Sequence, residues 1–118
     1  MTPDLREQMT DFPKCMLIVT AEVDPAVESD WNHWYNTVHL PDALKCPGVL
    51  HGKRYVSAGD VTKTAGGETR RSPRRIYTTI YELTGPGVVD TPEFKAMRGW
   101  YQFAPHVISR TQVVLAQS

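Results

Sequence analysis

The residues best suited to move a proton crowd into one stretch, Trp31 to Val49 (WNHWYNTVHLPDALKCPGV), which holds two tryptophans, a tyrosine, two histidines and an aspartate. His39 follows Tyr35 by four positions and Trp31 by eight, so the three fall along one line of a helix. An imidazole with an ordinary pKa of about 6.5 takes and returns a proton near neutrality. Asp42 stands three residues on, close enough to orient the ring or hold its charge if the backbone stays helical through Pro41. The chemistry this spacing points to is general acid–base catalysis. The competing reading is a helix-end histidine that stabilises the last carbonyls of its own helix.

Other candidates are spread along the chain. His106, in Ala104-Pro105-His106-Val107, stands where a second helix meets the last strand, either facing the same cleft or capping that helix. Tyr35, Tyr77, Tyr81 and Tyr101 carry phenols able to donate to a carbonyl or phenolate oxygen. Tyr81 shares a strand face with Tyr77, although buried tyrosines more often pack with one satisfied hydroxyl. Arg54 lies between apolar residues on a strand and needs an anion or the sheet edge. An ion pair with Glu82 or Glu22 is the expected outcome, a substrate carboxylate or phenolate the alternative. Trp31, Trp34 and Trp100 read first as core or interface, yet three tryptophans in so small a domain favour a flat aromatic ligand. His33 falls off the apolar stripe and is expected in solvent. Arg70, Arg71, Arg74 and Arg75 form a basic cluster after Gly66-Gly67, read as a solvated loop rather than a lid for an anionic substrate.

Several function classes drop out. His33 and His39 are six apart, which does not place both on one helix face for a metal. There is no Gly-rich phosphate motif and no Gly-x-Ser-x-Gly elbow. Nucleotide, covalent serine and metal chemistry are therefore unsupported, and no cofactor is expected. Acidic and basic residues balance at 13 each, so no field gathers a polyanion and no nucleic-acid partner is expected. Cys15 and Cys46 fit no metal spacing and read as free thiols in a reducing compartment. The first residues, MTPDLREQMTDFPK, lack the apolar centre of a signal peptide, and the apolar run at Cys15–Val19 is far too short to span a bilayer. A cytoplasmic protein without membrane contact is expected.

These residues need a scaffold, and 118 residues make one domain. Residues 1–14 read as an arm and 15–118 as the domain. Cys15–Glu22 is a short β-branched apolar run, hence a strand. Asp24-Pro25 reads as N-cap and first helical position, with Val27, Trp31, Trp34 and Val38 as the apolar stripe. Pro41 is expected to stop this helix near Leu40 and to start a short second turn to Cys46. Strands are expected at Val49–Ala58, Arg75–Leu83 and Val107–Ala116. A second helix is capped by Thr91-Pro92-Glu93, carries the stripe Phe94, Met97 and Tyr101, and ends at Pro105. The order β-α-β-β-α-β predicts an α+β ferredoxin-like fold, a four-stranded antiparallel sheet with two helices on one face. An apolar second face predicts a homodimer with the sheets packed together.

The segments WYNTVHLPDALKCPGV and GKRY, with TPEFKAMRGWYQFAPHV later in the chain, resemble the dimeric α/β-barrel superfamily and, within it, the EthD-like group. The likeness covers nearly the whole domain. It implies a small-molecule cleft between helices and sheet in each subunit, with His39 of the Tyr35-Asn36-x-x-His39-x-Pro41 segment facing it. The superfamily includes cofactor-free monooxygenases, dehydratases, cyclases, isomerases, decarboxylases and haem-degrading enzymes. Residues 59–74 depart from it as a long connection able to act as a cover. The expected function is a cofactor-independent lyase acting on a small aromatic compound, by dehydration, decarboxylation or retro-aldol cleavage, in a catabolic or secondary-metabolic pathway. His39, Asp42, Tyr35 and His106 are the expected catalytic groups, and Trp31, Trp34, Arg54, Tyr77 and Tyr101 the substrate contacts. The alternatives are a cofactor-free monooxygenase or haem-dependent enzyme of the same fold, or a non-catalytic ligand-binding protein.

Overall fold

Alternate burial along β1 (Cys15–Val23) sets the layout: Cys15, Leu17, Ala21 and Val23 are buried under the helices, with half-buried Val19 on the same face, while Met16, Ile18, Thr20 and Glu22 are half-buried on the other face. The computed structural model describes residues 12–59, 61–72 and 75–117. The other strands are β2 (Val49–Val56), β3 (Val61–Ala65), β4 (Glu68–Ser72), β5 (Tyr77–Leu83) and β6 (Val107–Leu115). Four of them form an antiparallel sheet in the order β2-β5-β1-β6. Leu17 pairs with Tyr81 on one side and Val113 on the other, which puts these three side chains on the helix-covered face. Ile18 pairs with Ile80 and Gln112 on the open face. The sheet with helices on one side is the α+β ferredoxin-like arrangement.

The helix layer differs from the sequence expectation in an instructive way. Asp24 accepts the backbone N–H of Ala26 at 3.0 Å and holds a turn, and the helix begins only at Glu28. Helix α1 (Glu28–Trp34) does not stop before Pro41. It widens into a π-helical segment, Tyr35–His39, and runs on as α2 (Leu40–Leu44). Leu40 N–H bonds the Tyr35 carbonyl five residues back. A proline in a regular helix clashes with the carbonyl four residues earlier and leaves it unpaired. The wider turn accommodates Pro41 without breaking the rod. The added residue also rotates the following side chains, so Val38 leaves the apolar stripe and is exposed.

The second helix is shorter than expected. Thr91 caps α3 (Pro92–Met97) by accepting the Phe94 N–H at 3.2 Å. The helix ends at Met97, because Gly99 (φ 115°) and Tyr101 (φ 50°) take left-handed backbone, and a 3₁₀ turn, Tyr101–His106, follows. Tyr101 therefore lies on the surface instead of completing the stripe with Phe94 and Met97.

The 59–74 connection contains a separate hairpin, β3–β4, turning on Gly66 and Gly67, both at positive φ. Arg70 and Arg71 lie on β4, Arg74 lies outside the described residues, and Arg75 is 3.7 Å from Glu28. Residues 1–11 of the expected arm also lie outside the described residues. Among the described residues no helix is long and apolar enough to cross a membrane.

Two apolar clusters lie between sheet and helices. One gathers Leu17, Ala43, Tyr81, Leu83 and Phe94, and the other Ala21, Trp31, Tyr35, Tyr77 and Phe103. Gly52 of β2 leaves room beside the first cluster, since a Cβ there would meet Tyr81 Cδ1 at 2.8 Å and Leu44 Cδ2 at 3.0 Å. Tyr81 is buried and held by the core around it, so Gly52→Ala is expected to cost about 1–3 kcal/mol by overpacking. Gly85→Ala, in extended backbone with nothing within 4 Å of the added carbon, is expected to cost less than about 0.5 kcal/mol. Urea denaturation of both variants measures the difference, and equal losses would refute this role for Gly52.

Candidate functional site

The π-helical segment puts two rings against His39 where a regular helix would supply one. Trp34, five residues back, stacks on the imidazole at 4.6 Å and 19°. Tyr35, four residues back, meets it edge-on at 4.8 Å. Trp100, from the loop after α3, closes a third side at 5.5 Å. The imidazole is 7% exposed. Among the described residues nothing hydrogen-bonds either ring nitrogen.

This surrounding decides the charge. Burial pushes the His39 pKa down to about 4; the Asp42 carboxylate pulls upward, and the Arg54 cation adds a smaller push downward. The indole face of Trp34 favours the cation by about 0.5–2 kcal/mol. The depression corresponds to about 3 kcal/mol, so the direction stays downward. His39 is a neutral imidazole at physiological pH, with a lone pair to offer and no proton to give beyond its N–H.

His39 opens into a cavity of about 470 Å³ between the helix layer and the sheet. That volume suits a small organic ligand. Leu17 and Val19 of β1 and Val113 of β6 form the floor, Phe94 and Met97 of α3 one wall, and Tyr35, Tyr81 and Trp100 the inner end. The lining residues with polar side-chain groups are few: His39, Tyr35, Tyr81, Thr111 and Arg98, with the Trp100 indole N–H turned to Ser109. The two phenols stand 3.3 Å apart, buried, each the other's partner. Burial, with Tyr35 alongside, holds the Tyr81 phenol far above its ordinary pKa. Two hydroxyls that share one hydrogen bond engage one proton and leave the second for another acceptor. The pair can therefore donate to an oxygen in the cavity.

Arg54 completes the inner end from behind. Its guanidinium carbon lies 4.2 Å from the Tyr35 ring centre, 5.1 Å from Trp31 and 5.5 Å from Tyr77. Nη1 donates to Asn36 Oδ1 at 2.7 Å and Nη2 to Asn32 Oδ1 at 2.8 Å, while Nε is buried without a partner. The expected ion pair with Glu82 or Glu22 is not made. Glu82 and Glu22 belong to the open sheet face, and Glu82 stands 3.9 Å from His51. A bulge between Val49 and His51 separates the two residues as well, burying Val49 and exposing His51.

The structure brings together two of the expected catalytic residues, His39 and Tyr35, as cavity lining. Asp42 is exposed and reaches the imidazole through space, without a hydrogen bond. His106 lies on the surface, its Nδ1 3.7 Å from the Asp24 carboxylate, and does not line the cavity. Of the expected substrate contacts, Trp31 is fully buried behind Tyr35 and Trp34 backs His39. The Tyr77 hydroxyl donates a short hydrogen bond to Glu28 Oε2 and accepts Asn32 Nδ2 at 3.0 Å. Tyr101 caps α3 by donating to the Ala96 carbonyl at 2.9 Å. None of these lines the cavity, nor does any described residue of the β3–β4 hairpin. Sequence reasoning weighed Tyr81 as a phenol donor beside Tyr77 without placing it among the expected site residues, and it missed Arg98. The period-two match of Tyr81 with Tyr77 was the available signal for the first. Gly99, which ends α3 and leaves Arg98 at the cavity rim, was the signal for the second.

No family model matches the sequence, and no curated protein matches it. Among solved structures, the fold is similar to that of an ethyl tert-butyl ether D (EthD) family protein from Bacillus halodurans C-125, with a TM-score of 0.56 and 17% identity over 87% of this chain and 99% of that one. HapK from Hahella chejuensis is similar at a TM-score of 0.57 and 13% identity, over 87% of this chain and 92% of that one. At these identities the likeness establishes a shared fold.

The charge state of His39 has a consequence for stability. Above pH 6.5 native and unfolded histidine are both neutral. As pH falls from 6.5 toward 4, the unfolded chain binds a proton that the native site refuses, so stability is lost across that window. The loss from this one group is expected to approach about 3 kcal/mol. Urea denaturation at pH 7 and pH 4.5 measures it, and His39→Gln is expected to remove that share of the pH dependence. An unchanged pH dependence in the variant would contradict the assignment.

Proposed function

We propose that this chain is a cofactor-independent acid–base enzyme, a lyase acting on a small aromatic carbonyl compound, with His39 as proton acceptor and the Tyr35–Tyr81 pair as oxyanion donor. The observation that carries this reading is a neutral, desolvated imidazole with no hydrogen bond from the described protein groups, opening into an apolar cavity beside two paired phenols. A group held that way is available to a ligand and to nothing else nearby.

The steps follow from the placement. His39 takes a proton from the carbon next to a carbonyl, and the C–H electron pair moves onto the carbonyl oxygen. That oxygen, now negative, receives the free proton-donor capacity of the phenol pair. The imidazolium that forms is poorly solvated on its own, but the adjacent enolate stabilises it. It then returns the proton to a departing hydroxyl in a dehydration. In a retro-aldol cleavage His39 instead takes the proton of the β-hydroxyl, and the Cα–Cβ bond breaks as that oxygen becomes a carbonyl. The electron pair of that bond forms the enolate, and the imidazolium returns the proton to the enolate carbon. Arg54 behind the Tyr35 ring favours the negative charge in the cavity. A low free-enzyme pKa keeps the base in its working form well into acid, at some cost in driving force.

The open sheet face supports a homodimer as the working form. Met16 and Ile18 of β1, Ile80 of β5 and Val114 of β6 project from it, and Ile108 at its edge is 70% exposed. A second copy packed on that face would shield them.

Proton transfer is measurable before the natural substrate is known. Exchange of solvent deuterium into the α-position of 4-phenyl-2-butanone, followed by NMR, is expected to run above the buffer rate with the wild-type protein. His39→Gln is expected to reduce it ~100-fold or more, and Tyr81→Phe about 100-fold. The acid limb of the rate profile is expected near the depressed His39 pKa of about 4, not near 6.5. A probe that quenches tryptophan fluorescence but never exchanges above buffer would mark a binding protein and end the catalytic reading.

A further inference from the structure

Both ends of the cavity carry a cation, while the Asp42 carboxylate acts on His39 from the exposed surface, outside the lining. Among the described residues, Arg98 is the only Lys, Arg, Asp or Glu in the lining. Arg98 follows the last turn of α3, is exposed, and among the described residues meets no carboxylate. A second cation stands behind the inner end. Arg54 is held by two neutral side-chain oxygens, from Asn32 and Asn36, so its charge is not compensated where it lies against Tyr35.

A cavity of this kind sorts ligands by where their charge is. The floor and walls, Leu17, Val19, Phe94, Met97 and Val113, cannot solvate an ion, so a charged group in the middle would pay its full desolvation cost. The rim at Arg98 stays wet and offers a planar fork of N–H donors that matches a carboxylate. The inner end holds neutral groups suited to a carbonyl or hydroxyl oxygen. The polar ends of the site are thus a cationic rim and a neutral proton-transfer centre, with apolar surface between.

We infer that the cavity takes an aryl or arylalkyl carboxylate, its carboxylate paired with Arg98 at the rim, its ring on the apolar floor and its reacting end toward His39 and the phenol pair. The orientation toward His39 rests on the acid–base reading above; the carboxylate preference and the role of Arg98 do not. Arg98 is then the residue that determines specificity for anionic over neutral aromatic compounds.

Binding separates this inference from catalysis. Isothermal titration with 3-phenylpropionate and its neutral counterpart 3-phenylpropionamide compares charge at nearly constant shape. The wild type is expected to prefer the carboxylate by about tenfold or more at low salt, the scale of a charge-assisted hydrogen-bond pair, and added NaCl is expected to shrink the preference. Arg98→Gln is expected to bring the two probes to within about twofold, chiefly by weakening the carboxylate, and Arg98→Lys to keep part of the preference. His39→Gln is expected to keep the preference. Equal affinity in the wild type, failure of both probes to bind, or a preference that survives Arg98→Gln would overturn the inference. A retained preference without any deuterium exchange would leave it standing and sink only the catalytic reading.

Discussion

An imidazole has been taken out of water without receiving a hydrogen bond from the described residues in return, and the rest of the site depends on that imbalance. Burial of His39 among Trp34, Tyr35 and Trp100 removes the solvent that would stabilise its charged form. The ring therefore stays neutral and keeps both nitrogens unengaged by the described groups. Three elements must cooperate to achieve this. The π-helical turn brings Trp34, the last residue of α1, and its own Tyr35 to the ring together, the loop after α3 supplies Trp100, and β5 supplies Tyr81 behind. Trp100 is tied to β6 through its indole N–H, which donates to Ser109 Oγ at 2.9 Å. Trp100 is thus anchored to the sheet, and left-handed backbone at Gly99 and Tyr101 lets the chain double back to place it.

Arg54 is the second constraint. A half-buried guanidinium with amide rather than carboxylate partners is an expensive choice for stability, because neutral oxygens return less of its hydration than an ion pair would. Its pKa is lowered by burial first of all. In exchange it fastens the helix layer to the sheet. Asn32 of α1 and Asn36 of the π-helical segment hold the fork, and the rings of Trp31, Tyr35 and Tyr77 surround it. The same charge disfavours protonation of His39 and favours negative charge in the cavity. One residue therefore serves packing and electrostatics at once.

Much of the fold was legible because it rests on local periodicity. The alternation along Cys15–Val23 and Tyr77–Leu83 determines which face is buried, and the spacing of Trp31, Tyr35 and His39 puts them in one row. What was not legible depends on events a local pattern does not encode. Pro41 looked like a helix stop, but tertiary packing carries the rod through it in a wider turn. Arg54 looked like half of an ion pair, but its face of the sheet carries no carboxylate within reach. His106 and Tyr101 read as cleft residues only while α3 was expected to run on to Pro105; once it ends at Met97 both move to the surface. The hairpin at Gly66-Gly67 carried a turn signal that the length of the connection obscured.

The account turns on whether His39 is held neutral. A pH titration of the histidine ring resonances, with His39 assigned by its absence in His39→Gln, measures this without reference to any substrate. The His39 signals are expected to hold their neutral positions down to about pH 5 and to titrate with a midpoint near 4. A midpoint at or above the ordinary value of about 6.5 would show a solvated or charge-stabilised imidazole, and the desolvated base on which the site is built would not exist.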